Sequence, residues 1–231
     1  MNTILWIVFE VIINFYQGGL ATWFIYKFLT PKSSSKARRM AAVFTFTEGM
    51  LVTALNYVSV FEGIGSILYW VNLFIFAFCF FENNLIKKIL SVAITQIIIL
   101  LTTSVELNMI SSLFNITVSE LVKNQDFARF ITLIIIQISL LICFDVTIRI
   151  FKYADEYSFS DWFSIILMLI FSFILTAMIH ILSLAASTKE RIYINLIYIV
   201  IMIMNYLVFY IIHSSKYLVK SRKYSRNLSI S

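Results

Sequence analysis

Proline, glycine, cysteine, histidine and charge are all scarce in this chain. Among 231 residues there are 1 Pro, 5 Gly, 2 Cys and 2 His, and 13% are charged, about half the share of an ordinary soluble domain. Each shortage excludes something. Cys79 and Cys143 lie inside apolar runs, Phe78-Cys79-Phe80 and Ile142-Cys143-Phe144, so they read as small hydrophobes and not as a disulfide framework. There is no Gly-rich phosphate loop, no nucleophile elbow, and no His, Cys or carboxylate cluster at metal-ligand spacing. Catalytic residues, a metal and a cofactor are therefore not expected. The near absence of proline also weighs against the unwound helices of many secondary transporters. No Lys or Arg precedes Lys27, and no small-residue cleavage site follows the first apolar run, so that run is expected to be retained and not removed as a signal peptide.

What the chain has is hydrophobic surface. Apolar residues make up 61%, more than one soluble core of this size can hide. The polar residues are too few and too clustered for the alternation of an outer-membrane barrel. The expected fold class is all-α, a polytopic membrane helix bundle. Seven stretches approach the roughly 20 apolar residues that a span needs: 4–28, 41–60, 64–81, 89–113, 130–150, 162–186 and 192–213. No motif recurs among them, so no internal repeat is expected. Residues 1–215 form the expected transmembrane bundle, and 216–231 a basic tail or the start of a linker helix.

Basic residues set the expected orientation. Fourteen of the eighteen fall on alternate connectors and the tail: Lys27, Lys32, Lys36, Arg38 and Arg39; Lys87 and Lys88; Arg149 and Lys152; and five between Lys216 and Arg226. Lys123, Arg129, Lys189 and Arg191 occupy the other connectors. The positive-inside rule puts the fourteen in the cytoplasm, with the amino terminus outside. Segment 41–60 is the weakest span, because a central acid such as Glu48 costs about 2.5–3.5 kcal/mol. It must nevertheless cross if Lys36–Arg39 and Lys87–Lys88 are to share a side. The net charge of +6 then belongs to loops beside lipid headgroups and implies no nucleic-acid partner.

Ionisable residues within spans are functional candidates by default. Glu10, Glu106 and His180 fall at a similar outer depth, as does Asn56; Glu10, Asn14 and Gln17 share one face of the first span. Two readings fit. Glu10, Asn14, Asn56, Glu106 and His180 line a ligand-binding vestibule open to the outside, or these groups pair with one another and hold the bundle together. Asp145 and Arg149, four residues apart, are expected to form a structural ion pair. Glu48 either meets a Thr or Asn on a neighbouring helix or is buried as the neutral acid. Gly18-Gly19 is a candidate point of close helix packing, and Asn115-Ile116-Thr117 matches a glycosylation acceptor. Cys79 and His180 fall near opposite membrane faces, too far apart for a nucleophile–base pair.

Several stretches bear a resemblance. Ile13-Asn14-Phe15-Tyr16-Gln17 running on to Phe24-Ile25-Tyr26-Lys27-Phe28 is similar to the aromatic opening helix of one receptor group. Phe61-Glu62-Gly63-Ile64, the run Ile110-Ser111-Ser112-Leu113-Phe114-Asn115 through Ser119-Glu120-Leu121 to Arg129-Phe130-Ile131, and Trp162 match its layout too. In these features the chain resembles the membrane sensor domain of GHKL-type sensor histidine kinases of Gram-positive bacteria, the group containing the Agr-type peptide-pheromone receptors. The resemblance implies a homodimer in the plasma membrane that binds an extracellular peptide and relays it to a cytoplasmic kinase module. Through that module it would reach a response regulator of a two-component, quorum-sensing system. It departs from the group in carrying no phospho-accepting His helix or ATP-binding domain before Ser231. The expectation is thus a sensor half or a kinase-less relative, without catalysis of its own. A small-molecule transporter or substrate-binding membrane subunit is the alternative.

Overall fold

The computed structural model describes residues 3–56, 62–151, 159–186 and 188–228. Among these residues the chain is all helical. Eight helices follow in order: α1 (Thr3–Phe28), α2 (Ser34–Asn56), α3 (Glu62–Phe80), α4 (Leu85–Phe114), α5 (Val118–Lys123), α6 (Phe127–Ile150), α7 (Phe159–Ala185) and α8 (Thr188–Leu228). Five contain segments long and apolar enough to cross a membrane: Ile4–Phe28, Leu85–Phe114, Phe127–Ile150, Phe163–Ser183 and Glu190–Ile212. The chain is a multi-pass membrane protein.

The other two expected spans are helices but fall short of that standard. The apolar part of α3 is limited to Ile67–Phe80. Helix α2 begins at Ser34, not near 41, so Lys36, Arg38 and Arg39 lie in its first turns and Glu48 in its middle. Their polarity keeps α2 below the hydropathy of a self-sufficient span. It is held by packing instead, chiefly on α1 and α3.

The α1–α2 contact is close because two glycines face it. A Cβ on Gly18 would stand 2.9 Å from Glu48 Cβ and 3.3 Å from the Gly49 nitrogen. One on Gly49 would stand 2.6 Å from the Phe15 ring. Lipid tails are as apolar as the helices, so association in a bilayer relies on such close packing and on interhelical hydrogen bonds. Both are present: the Thr22 and Thr45 hydroxyls lie 2.6 Å apart, and Asn14 Nδ2 donates to Thr53 Oγ1 at 3.2 Å.

The helix ends sort into two groups. At one end, Pro31 and Phe81 form an isolated antiparallel bridge. The Lys32 N–H donates to Phe80 O and the Glu82 N–H to Thr30 O, both at 3.0 Å. The connectors α1–α2 and α3–α4 therefore share an end. Lysines close off α3 there: Lys32 Nζ donates to Cys79 O at 3.0 Å, and Lys88 Nζ donates to Phe78 O at 3.3 Å while lying 5.1 Å over the Phe78 ring. Positive charge on the last carbonyls of a helix matches its dipole. Phe28 meets Phe151 at 5.4 Å, which brings the end of α6 to the same place. At the opposite end, Phe9 of α1 packs on Phe130 of α6 at 4.6 Å.

Helix α4 is the axis of the bundle. It touches α1, α3, α6, α7 and α8, and 61% of its apolar window is buried against 18–33% in the other four. Leu90, Ile94, Ile97, Leu101 and Val105 form its apolar side of the core. Ser91, Thr95, Ser104, Asn108 and Ser111 are buried with them. Most of these polar groups donate to their own backbone, as in Thr95 Oγ1 to Ser91 O at 2.7 Å and Asn108 Nδ2 to Ser104 O at 2.8 Å, which gives their donors a partner without water. The outer faces of α7 and α8 expose Phe171, Ile181, Leu196 and Met204, as helices facing lipid must.

The glycine contact yields a paired expectation. Gly18→Ala should lower stability in detergent by about 1–3 kcal/mol, the usual cost of overpacking. Gly19→Ala, whose added Cβ meets only Thr45 Cγ2 at 3.5 Å, should be tolerated. Equal thermal midpoints for the two variants would show that the α1–α2 approach is not tight.

Candidate functional site

Among the described residues, the ionisable side chains of the spans do not meet in one place. Glu10 of α1 pairs with Arg129 at the start of α6, and both are about one-fifth exposed. Arg129 also donates to Val122 O, and its guanidinium lies 5.7 Å from the Trp6 ring centroid. Asp126 caps α6 just before it, accepting from the Arg129 N–H at 2.9 Å. Asn14 lies one turn farther along α1 and bonds to α2, as given above. Gln17 accepts from Gln137 Nε2 of α6 at 3.5 Å. Glu106 of α4 accepts from Ser139 Oγ of α6 at 2.8 Å. The side chains of Asn56 and His180 lie outside the described residues, as do those of Trp162 and His213. Glu10, Asn14 and Glu106 thus serve three separate helix pairings.

Two of the expected features have a definite geometry. Arg149 Nε donates to Asp145 Oδ2 at 2.8 Å, in an exposed pair one turn apart near the end of α6. Glu48 is fully buried, and its Oε1 accepts from Asn72 Nδ2 of α3 at 2.7 Å. Its second oxygen has no hydrogen-bond partner.

Three features carry signals that depth along the helices did not use. The first is Arg191 near the start of α8, 3% exposed. Its Nε donates to Ala186 O after α7 at 3.2 Å, and its Nη1 to Ser111 Oγ of α4 at 3.3 Å and to Ile116 O. One guanidinium thereby ties together α4, α7 and α8. The second is the connector 115–117, whose residues match a glycosylation acceptor. Asn115 ends α4 in the left-handed conformation at φ 55°, and Thr117 caps α5. Thr117-Val118-Ser119-Glu120 is a capping box: Glu120 Oε2 accepts from the Thr117 N–H at 2.7 Å, and Thr117 Oγ1 accepts from the Glu120 N–H at 3.1 Å.

The third is a pair of cavities beside α8. A small cavity of about 30 Å³ lies among α4, α6, α7 and α8, where Thr102, Cys143, Thr147, Asn205 and Tyr206 interrupt an apolar wall. Next to it, sharing Met202 and Tyr206, an open apolar cleft of about 630 Å³ runs between α6 and α8. Asn205 Oδ1 accepts from Ser172 Oγ at 2.8 Å, which anchors α8 to α7 at this level. Glu10, Asn14 and Glu106, the expected ligand-binding residues whose side chains are described, line neither cavity. Among the described residues no group of three His, Cys, Asp or Glu side chains is placed to hold a metal ion.

No protein-family model, curated protein or solved structure matches the chain.

Arg191→Met should destabilise the folded chain by at least about 2 kcal/mol, since each bond from a charged donor contributes about 1.5–3 kcal/mol, whereas Lys123→Met on the exposed α5 should not. Equal unfolding midpoints would remove Arg191 from its joining role. The capping box carries a pH expectation. The Thr117 N–H and hydroxyl hold the Glu120 carboxyl below the usual carboxylate range. A depressed folded-state pKa adds stability above the unfolded-state value and loses it as pH falls through the folded value. The start of α5 should therefore loosen on acidification and not on alkalinisation. Amide exchange at Glu120 that stays slow after the carboxyl is protonated would contradict this.

Proposed function

We propose that the chain is the input module of a membrane receptor, in which a ligand arriving from outside shifts helix packing and α8 carries the shift to the cytoplasm. The observation that carries this reading is α8 itself. Its 41 residues run unbroken from Thr188 to Leu228, about 60 Å at 1.5 Å per residue, against a hydrocarbon core of about 30 Å. Its first turns are fixed to α4 and α7 by Arg191, and its far end carries Lys216, Lys220, Arg222, Lys223 and Arg226. A helix that crosses and continues is a rigid output element. Coupling needs only a ligand that binds one packing state better than the other.

The bridged connectors support an arrangement of seven crossings with the amino terminus outside. Of the four basic residues on the other end, Arg129 is paired with Glu10 and Arg191 is buried, which leaves the charge asymmetry steeper than a count suggests. On this reading the ligand is an extracellular peptide met at the outer edge of α1 and α6, around Glu10 and Arg129. The receptor is a homodimer, and α8 leads into a GHKL-type kinase module that phosphorylates a response regulator. The buried Glu48 favours a second reading, a cation- or proton-handling transporter.

A chimera of residues 1–231 with a kinase module tests the first. Peptide-dependent phosphorylation is expected, and Glu10→Gln should shift the half-maximal peptide concentration several-fold. Inserting residues after Lys216 should change output with helical phase, two residues more than four, because each adds about 100°. Absence of any phase dependence, or concentrative uptake by vesicles carrying the wild-type chain, would overturn the receptor reading.

A further inference from the structure

Among the described residues Glu48 is the one acid at full burial, and no positive charge bonds to it. It is 0% exposed. Helix α2 packs on α1 and α3, so the groups that face it can be named. From α1 come Phe15, Gly18 and Thr22, none of which titrates; Gly18 sits so close that an added Cβ would stand 2.9 Å from Glu48 Cβ. From α3 come Asn72, which donates to Oε1 at 2.7 Å, and Tyr69 one turn before it, 6% exposed. The Tyr69 hydroxyl and Glu48 Oε2 both lack a hydrogen-bond partner. Among the described residues no Lys, Arg or His bonds to the carboxyl. Burying an ionised carboxylate without a counter-charge is far costlier than burying the neutral acid. In the neutral acid Oε1 still accepts from Asn72, and the proton resides on Oε2, the oxygen that otherwise has no partner.

We propose that Glu48 is a proton-binding site that latches α2 and α3 onto α1. With the proton bound, the three helices close over a neutral group. When the proton leaves, the charge is stable only if water reaches Oε2, and separation of α1 from α2 at Gly18 and Gly49 would admit it. Proton affinity and α1–α2 packing are then linked by the same free energy, read in both directions. This site stands apart from the receptor reading: it holds or fails whatever α8 delivers.

The test uses the full chain in lipid nanodiscs. A hydrophobic carbodiimide, which reacts with protonated buried carboxyls, should label Glu48 at neutral pH, and mass spectrometry should show the labelling fall as pH rises. Infrared spectra should contain a protonated-carboxyl band that disappears in Glu48→Gln. Thermal stability of the wild-type chain should fall with rising pH more steeply than that of Glu48→Gln, the neutral isostere. Asn72→Leu, which keeps the acid but removes the donor that favours its ionised form, should raise proton affinity about tenfold, the effect of losing one bond to a charged group. This second variant reads the site even if Glu48→Gln fails to fold. Identical stability slopes, no band assigned to Glu48, or labelling blocked by Na⁺ at fixed pH would overturn the proposal, the last by making the site one for a metal cation.

Discussion

The close approach of α1 and α2 at Gly18 and Gly49 is the constraint on which the rest of the arrangement depends. Helix α2 has too much charge and too little apolar length to enter a bilayer on its own account. What it has is a neighbour it can meet backbone to backbone. Without a Cβ on either glycine, Phe15 lies over Gly49 and Glu48 lies against Gly18, so dispersion contacts take over the role that hydrophobic transfer has in the other helices. Once α2 is in place, the bridge between Pro31 and Phe81 can form. The basic connectors then fall at one end, and the exit of α8 falls with them.

The second constraint is that no polar group in the interior can rely on water. The chain meets it locally wherever it can. Thr22, Thr95, Thr132 and Thr147 each return a hydroxyl to a carbonyl of their own helix. Longer polar side chains reach across: Asn72 to Glu48, Ser139 to Glu106, Ser172 to Asn205. These cross-helix bonds fall at different levels and on different helix pairs. They fix register on separate helix pairs; of these groups Asn205 borders the small cavity, and the cleft beside it is lined by apolar side chains and two tyrosines.

Much of this was legible in the sequence, and the failures have physical causes. Apolar runs located every long helix, because length and hydropathy are properties of one segment. Their boundaries were misplaced where charge begins a helix. Lys36, Arg38 and Arg39 read as connector, yet amphipathic first turns can hold their charges at the headgroup level. Lys87 and Lys88 likewise lie inside α4. Depth along a span was also legible, and so was a shared face within one helix, but not which helix that face meets. Glu10, Glu106 and His180 are expected at one depth, which left open a common vestibule or separate pairings. The partner of Glu10 was Arg129, a residue counted only for its sign, and Glu106 faces Ser139. The capping box at Thr117 and Glu120 was written in four consecutive residues. It was overlooked because a short extramembrane helix leaves no trace in hydropathy. Arg191 gave no local signal, since two of its acceptors, Ser111 Oγ and Ile116 O, lie far away in the chain.

The packing of α8 bears on whether it can move. Its apolar window is the least buried of the five, at 18%, and it holds to the bundle at a few points: Arg191 near its start, buried Tyr198, and Asn205 against Ser172. Between these anchors and the exit, the cleft against α6 leaves one flank open to lipid. Regions with few buried contacts lie at the low end of a protein's local stability. A helix clamped at the end that carries Arg191 and loosely seated beyond it can tilt about the clamp while its hydrogen bonds stay intact. Such a tilt changes the cleft and displaces the basic end by more than it displaces any residue near Arg191. The helix with the most freedom to shift is thus the one whose apolar window is the least buried of the five.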